Sequence, residues 1–156
     1  MTATDRPDAT TDRGFEVSLR LREVSVQLSL LNHQVAGRIN LRDVDLYCLD
    51  LISRRGPMTP SALARQAGLR PATTTGVLDR LEQARWISRE RVPTDRRAVH
   101  LTFNDERATE ILEHFTPMLD RIDRICADLD DDQLATISQF LTRVTEAGRD
   151  ATEATA

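Results

Sequence analysis

Two prolines constrain this chain more tightly than any other feature: Pro60 and Pro71, with Gly68 between them. Proline is tolerated at the first position of a helix, where its missing N–H would have no partner anyway, and glycine closes a helix by taking the left-handed backbone. Thr59 adds an N-cap oxygen before Pro60. The spacing predicts a short helix over 60–67, the turn Gly68-Leu69-Arg70, and a further helix from Pro71 to about Ala84 with Val77, Leu78 and Leu81 facing inward. Two short helices joined by a tight glycine-containing turn form a helix-turn-helix. Residues 86–91 and 98–103 then read as two strands around a charged tip, with Val99, Leu101 and Phe103 alternating inward, which is a β-hairpin.

The flanks read as helices. Between Phe15 and Ile39 the residues alternate locally like a strand, but Val17, Leu21, Val24, Leu28, Leu31 and Val35 step by 4, 3, 4, 3, 4, a heptad-like seam too long for an ordinary strand. The helix predicted for 42–55 is apolar on most sides, hence buried, and is stopped by Gly56-Pro57. Asn104 can cap a long helix carrying Ile111, Leu112, Phe115, Leu119, Ile122 and Ile125, with Pro117 a candidate kink. The run Asp130-Asp131-Asp132-Gln133 looks like a capping box opening a last helix that presents Leu134, Ile137, Phe140, Leu141 and Val144. The featureless ends, 1–14 and 149–156, are expected to be disordered. The fold class is mainly α with a small β-hairpin (α+β): a core segment at 41–104 between helical regions at 15–40 and 105–148.

At 156 residues the chain fits one domain or one compact subunit. It has no run of eighteen apolar residues and a polar N-terminus, so neither a membrane span nor a secretory signal is expected, and the expected location is cytoplasmic. Two cysteines, Cys48 and Cys126, are too few for a disulfide framework or a zinc-finger pattern. All 21 positive side chains are arginine, and the net charge of −4 hides a separation. Residues 54–97 hold ten Arg against Asp79, Glu82, Glu90 and Asp95, a local balance of +6 that leaves −10 for the rest. A basic block within an acidic chain is what a docking surface for a polyanion looks like.

The order helix, helix, turn, helix, hairpin is that of a winged helix-turn-helix, and this sequence resembles the MarR family of transcriptional regulators. The resemblance is carried by Met58-Thr59-Pro60-Ser61-Ala62-Leu63-Ala64, by Ala72-Thr73-Thr74-Thr75 and Asp79-Arg80-Leu81-Glu82, and by the wing signature Asp95-Arg96-Arg97-Ala98-Val99. It implies a homodimer, formed through the terminal helices, that binds a pseudo-palindromic operator in double-stranded DNA. The helix from Pro71 would lie in the major groove with Arg70, Pro71, Ala72, Thr73, Thr75 and Gly76 facing the bases. Arg97 would enter the minor groove, shaped by Asp95, with Arg96, Arg80, Arg89 and Ser61 as phosphate contacts. Gly76 stands where relatives often carry a larger polar or basic residue, and Arg85 where they commonly carry glycine. The resemblance also implies a repressor released by a small aromatic or anionic effector, for which Asn32, His33, Arg38, Tyr47 and His114 are candidate contacts.

Two other readings compete. An enzyme would need a nucleophile and base drafted from Cys48 or Cys126 with His33 or His114, and no Gly-rich nucleophile turn, phosphate loop or His-Glu-x-x-His motif supports one. A metal- or redox-responsive regulator of the same fold could use His33, Cys48, His114 and Cys126, but no two of these stand three or four residues apart, so only tertiary convergence could assemble a site. No cofactor is expected.

Overall fold

The helix boundaries are set by the residues that satisfy otherwise unpaired backbone groups. Thr59 Oγ1 accepts from the Ala62 N–H at 3.2 Å, and Gly68 takes φ 64°, turning its N–H back to the carbonyls of Ala64 and Arg65. Asp130 Oδ1 accepts from the Gln133 N–H at 2.8 Å while Gln133 Oε1 accepts from the Asp130 N–H at 3.0 Å, a reciprocal capping box. Asn104 Oδ1 caps from the Glu106 N–H at 3.2 Å. The computed structural model describes residues 9–92 and 95–154, and their side chains except at 9–11, 92, 95–98 and 153. In order these form α1 (Ala9–Arg38), α2 (Asp43–Arg55), α3 (Pro60–Ala67), α4 (Pro71–Gln83), β1 (Ile87–Val92), β2 (Asp95–Phe103), a 3-10 turn at Asp105–Arg107, α5 (Ala108–Ala127) and α6 (Asp131–Ala154).

The two strands pair antiparallel from Ile87 opposite Phe103 to Arg91 opposite Val99, with an irregularity at Arg91/Val92. Met58 exchanges backbone hydrogen bonds with Leu101, adding a bridge that ties the entry to α3 onto the hairpin. The core gathers the end of α1 (Val35, Ala36), Ile39 and Leu41, five residues of α2, and Leu63, Val77, Leu78, Leu81, Trp86, Ile87 and Leu101. Gly56 lets α2 end against this core, because a Cβ there would come within 2.5 Å of the Ile52 carbonyl oxygen.

Two expectations about the ends need correction. Residues 9–14 continue α1 and residues 149–154 continue α6 rather than forming disordered tails. Neither stretch of helix contains proline, and the Thr, Glu, Ala and Arg residues in them lack strong apolar periodicity without opposing the helix; a helix already nucleated propagates through such residues. The long helices keep apolar faces outside the core. Phe15, Val24 and Leu28 of α1, Leu112, Leu119, Ile122 and Ile125 of α5, and Ile137, Phe140 and Leu141 of α6 are exposed, and α5 contains no fully buried residue.

Candidate nucleic-acid interface

The short turn at Gly68-Leu69-Arg70 joins α3 to α4, and Thr74, Val77, Leu78 and Leu81 turn one side of α4 into the core. The opposite side is left free: Arg70, Pro71, Ala72, Thr73 and Thr75 are exposed and Gly76 is half-exposed. Of the three threonines, Thr74 donates to the Arg70 carbonyl and Thr75 to the Pro71 carbonyl, each at 3.1 Å. Thr73 has no intrachain partner for its hydroxyl among the described residues. Ser61 lies exposed at the start of α3, its hydroxyl 3.1 Å from Thr59 Oγ1. The backbone of Asp95, Arg96 and Arg97 belongs to β2, while their side chains lie outside the described residues.

Two of the arginines read from sequence as phosphate contacts are engaged within the chain. Arg80 donates through Nε and Nη2 to the Asp45 carboxylate at 3.0 and 2.6 Å, and Asp45 is 1% exposed. Asp45 also accepts from the Arg42 N–H at 3.2 Å, so one carboxylate caps α2 and anchors α4. The hydrogen bond to Asp45 pushes the Arg80 pKa further up. Arg89 of β1 pairs with Asp79 at 2.5 Å and Glu82 at 3.1 Å, stitching the wing's first strand to α4. Sequence reasoning missed Asp45. Its signal was helical spacing: Asp45 shares a face with Cys48, Leu49 and Ile52, an apolar side on which an acid demands a partner.

The turn after α4 is strained and clamped. Arg85 adopts φ 58°, the left-handed conformation that glycine would take freely. Asn104 Nδ2 donates to the Arg85 carbonyl at 3.1 Å, Arg107 Nη1 donates to the Ala84 carbonyl, and the Arg107 guanidinium stacks 3.5 Å over the Trp86 ring, which is 1% exposed. Asn104 and Arg107 thus bind the far end of α4 to the start of α5. Trp86 is thus a core anchor at the start of the wing.

A cleft of about 680 Å³ lies between α1, α2 and α5, lined chiefly by Leu46, Leu49, Phe103, Ile111, Leu112, Phe115 and Met118. Of the five residues read as effector contacts, Asn32 and Tyr47 line it; His33, Arg38 and His114 do not. The His33 imidazole is held through Nδ1 by Asp43 at 3.0 Å, because α1 and α2 bring those side chains together on the surface. The tertiary convergence that a metal centre would need is absent among the described residues: no three His, Cys, Asp or Glu side chains gather where they could hold an ion. Cys48 is buried beside Asp45, and burial first, then the Asp45 charge, push its thiol up to about 11 despite the opposing Arg80. Among the described residues no helix is long and apolar enough to cross a membrane.

Known proteins share this arrangement. Residues 41–99 match the MarR family. The HTH-type transcriptional regulator YcgE of Bacillus subtilis (strain 168) is 29% identical over 134 residues, covering 81% of this chain and 87% of that protein. Among solved structures, RV1404 from Mycobacterium tuberculosis aligns with TM-score 0.61 and 28% identity over 95% of this chain and 98% of its own. FabT from Streptococcus pneumoniae, crystallised in complex with DNA, aligns with TM-score 0.62 and 19% identity over 92% of this chain and 99% of its own, a likeness of fold. A helix-turn-helix closed by a hairpin and set between long terminal helices, with residues 41–99 matching the family model and a transcriptional regulator matching along most of the length, identifies residues 41–99 as a MarR-family winged helix-turn-helix.

Proposed function

We propose that the chain is a sequence-specific DNA-binding regulator that acts as a homodimer on a pseudo-palindromic operator in the cytoplasm, as a repressor released by a small-molecule effector. The observation that carries this reading is the outward side of α4. Arg70, Pro71, Ala72, Thr73 and Thr75 are exposed and Gly76 half-exposed, on a helix whose inward side is fixed by Thr74, Leu78, Leu81 and the Asp45–Arg80 pair. A rigid helix with an open face beside an arginine-bearing hairpin suits a major groove and its flanking phosphates. Arg96 and Arg97 of the wing, with Asp95 shaping the tip, are assigned by their place in the motif to phosphate and minor groove.

The exposed apolar faces of α1, α5 and α6 support the homodimer, since a second copy would cover equivalent faces around a two-fold axis. The cleft has the size of a small-molecule site and an apolar wall with few polar groups, which supports an effector held beside Tyr47 and Asn32. The test is selection of bound fragments from a random duplex pool, repeated with aromatic and anionic small molecules. The reading requires an inverted repeat with half-sites about one helical turn apart and a small molecule that weakens its retention. A pool with no enriched sequence would overturn it.

A further inference from the structure

The face that α4 offers to a partner is built of methyl groups. Thr75 and Gly76 lie one turn beyond Ala72 on its outward side, opposite the buried Thr74, Val77, Leu78 and Leu81. The Thr75 hydroxyl is turned back to the Pro71 carbonyl at 3.1 Å, which leaves its γ-methyl as the exposed end of the side chain. Ala72 ends in a methyl. Gly76 has no side chain, and a Cβ there would meet only Arg80 Nη1 at 3.5 Å, so a groove wall can come up to the helix backbone at that point. One turn further on, the Asp79 carboxylate is tied to Arg89. The Thr73 hydroxyl, near the helix start, remains free for a phosphate.

On the major-groove edges of the four bases the C5-methyl of thymine is the one apolar group. We propose that Ala72 and Thr75 are specificity-determining residues that read thymine through this methyl, packing methyl against methyl, with Gly76 permitting the close approach. The inference rests on the DNA-binding reading and names what that site recognises: half-sites with thymine beneath Ala72 and Thr75, selected by apolar contact rather than by base hydrogen bonds.

Uracil tests it, because it keeps every hydrogen-bonding group of thymine and lacks only the methyl. Each thymine of the duplex selected by the intact protein is replaced in turn by deoxyuridine and affinity is measured by fluorescence anisotropy. One or two positions in each half-site should bind about fourfold more weakly for each methyl removed, the scale of burying one such group. Thr75→Ser, which keeps the hydroxyl, should lose the distinction at one of those positions, and Thr75→Val, which keeps a methyl and removes the hydroxyl, should retain it. Equal affinity for thymine and uracil at every position would overturn the inference and leave the DNA-binding reading intact, as would discrimination kept by Thr75→Ser and lost by Thr75→Val. If a variant fails to fold, the uracil series on the unaltered protein decides. Failure to enrich any duplex would overturn both readings together.

Discussion

Replacing Arg80 with alanine separates the anchor formed with Asp45 from the phosphate contact that the family resemblance implies. The guanidinium holds a carboxylate that is 1% exposed, through contacts of 2.6 and 3.0 Å, and its removal leaves Asp45 with the Arg42 N–H at 3.2 Å as its remaining partner. Breaking a buried pair from one side costs about 3–5 kcal/mol. The Arg80 side chain is 34% exposed, so water can reach the gap, and screening brings the expected loss to roughly 2–3 kcal/mol. Asp45→Asn removes the buried charge, so in that background Arg80→Ala should be milder, giving a coupling of about 1.5 kcal/mol in the double-mutant cycle. Urea midpoints measured at one fixed protein concentration provide the assay, since stability of an oligomer depends on concentration. A loss under about 0.5 kcal/mol with an additive cycle would refute the anchor and return Arg80 to the solvated phosphate contact that its position in the sequence suggests.

Other outcomes follow from single contacts. The Cys48 thiol is raised from its ordinary 9.0 to about 11, so the folded state holds this proton more tightly than the unfolded chain. Its contribution to stability is complete below pH 9.0 and lost as the pH rises toward 11; Cys48→Ala should flatten the decline over that window, and an unchanged pH profile would show that another group titrates there. Arg85→Gly relieves a left-handed backbone at φ 58° and should stabilise by about 0.5–1 kcal/mol in thermal unfolding, whereas a destabilisation would mean that the side chain itself contributes. Leu28→Arg or Phe140→Asp places a charge on an exposed apolar face, and sedimentation should show monomers with DNA affinity lost; dimers of unchanged stability would remove those faces from the interface.

Local rules reached the parts of this fold that local groups determine. Thr59, Pro60, Gly68 and Pro71 each satisfy or withhold a backbone group within a few residues of themselves, and so do Asp130 and Gln133; the helices they delimit stand where the sequence puts them. What sequence reading missed depends on distance along the chain. Asp45 and Arg80 are 35 positions apart, and only the packing of α2 against α4 turns a buried acid and an apparently free arginine into one unit. Arg107 reaches back 23 positions to the Ala84 carbonyl, and Met58 meets Leu101 through backbone atoms that carry no sequence signature. The candidate interface was legible as a set of positions on α4, but which hydroxyls were free was not. Thr74 and Thr75 look alike in the sequence as Thr73 does, and the helix itself engages the first two. The residues read as effector contacts divided in the same way: Tyr47 and Asn32 line the cleft, whereas the pairing of His33 with Asp43 on the surface depends on how α1 meets α2.

On the function proposed above, two copies of this chain bind one palindromic duplex, placing an α4 and a wing on each half-site. The direct measurement is a titration of the selected palindrome and a scrambled duplex of equal length against the protein, followed by anisotropy over a range of salt concentrations and by sedimentation of the saturated complex. The expected result is a complex of two chains per palindrome, bound on the order of a thousandfold more tightly than the scrambled duplex at physiological salt, with a log K that falls linearly with log salt as several phosphates are neutralised. A single bound chain, or equal affinity for both duplexes at every salt concentration, would contradict it.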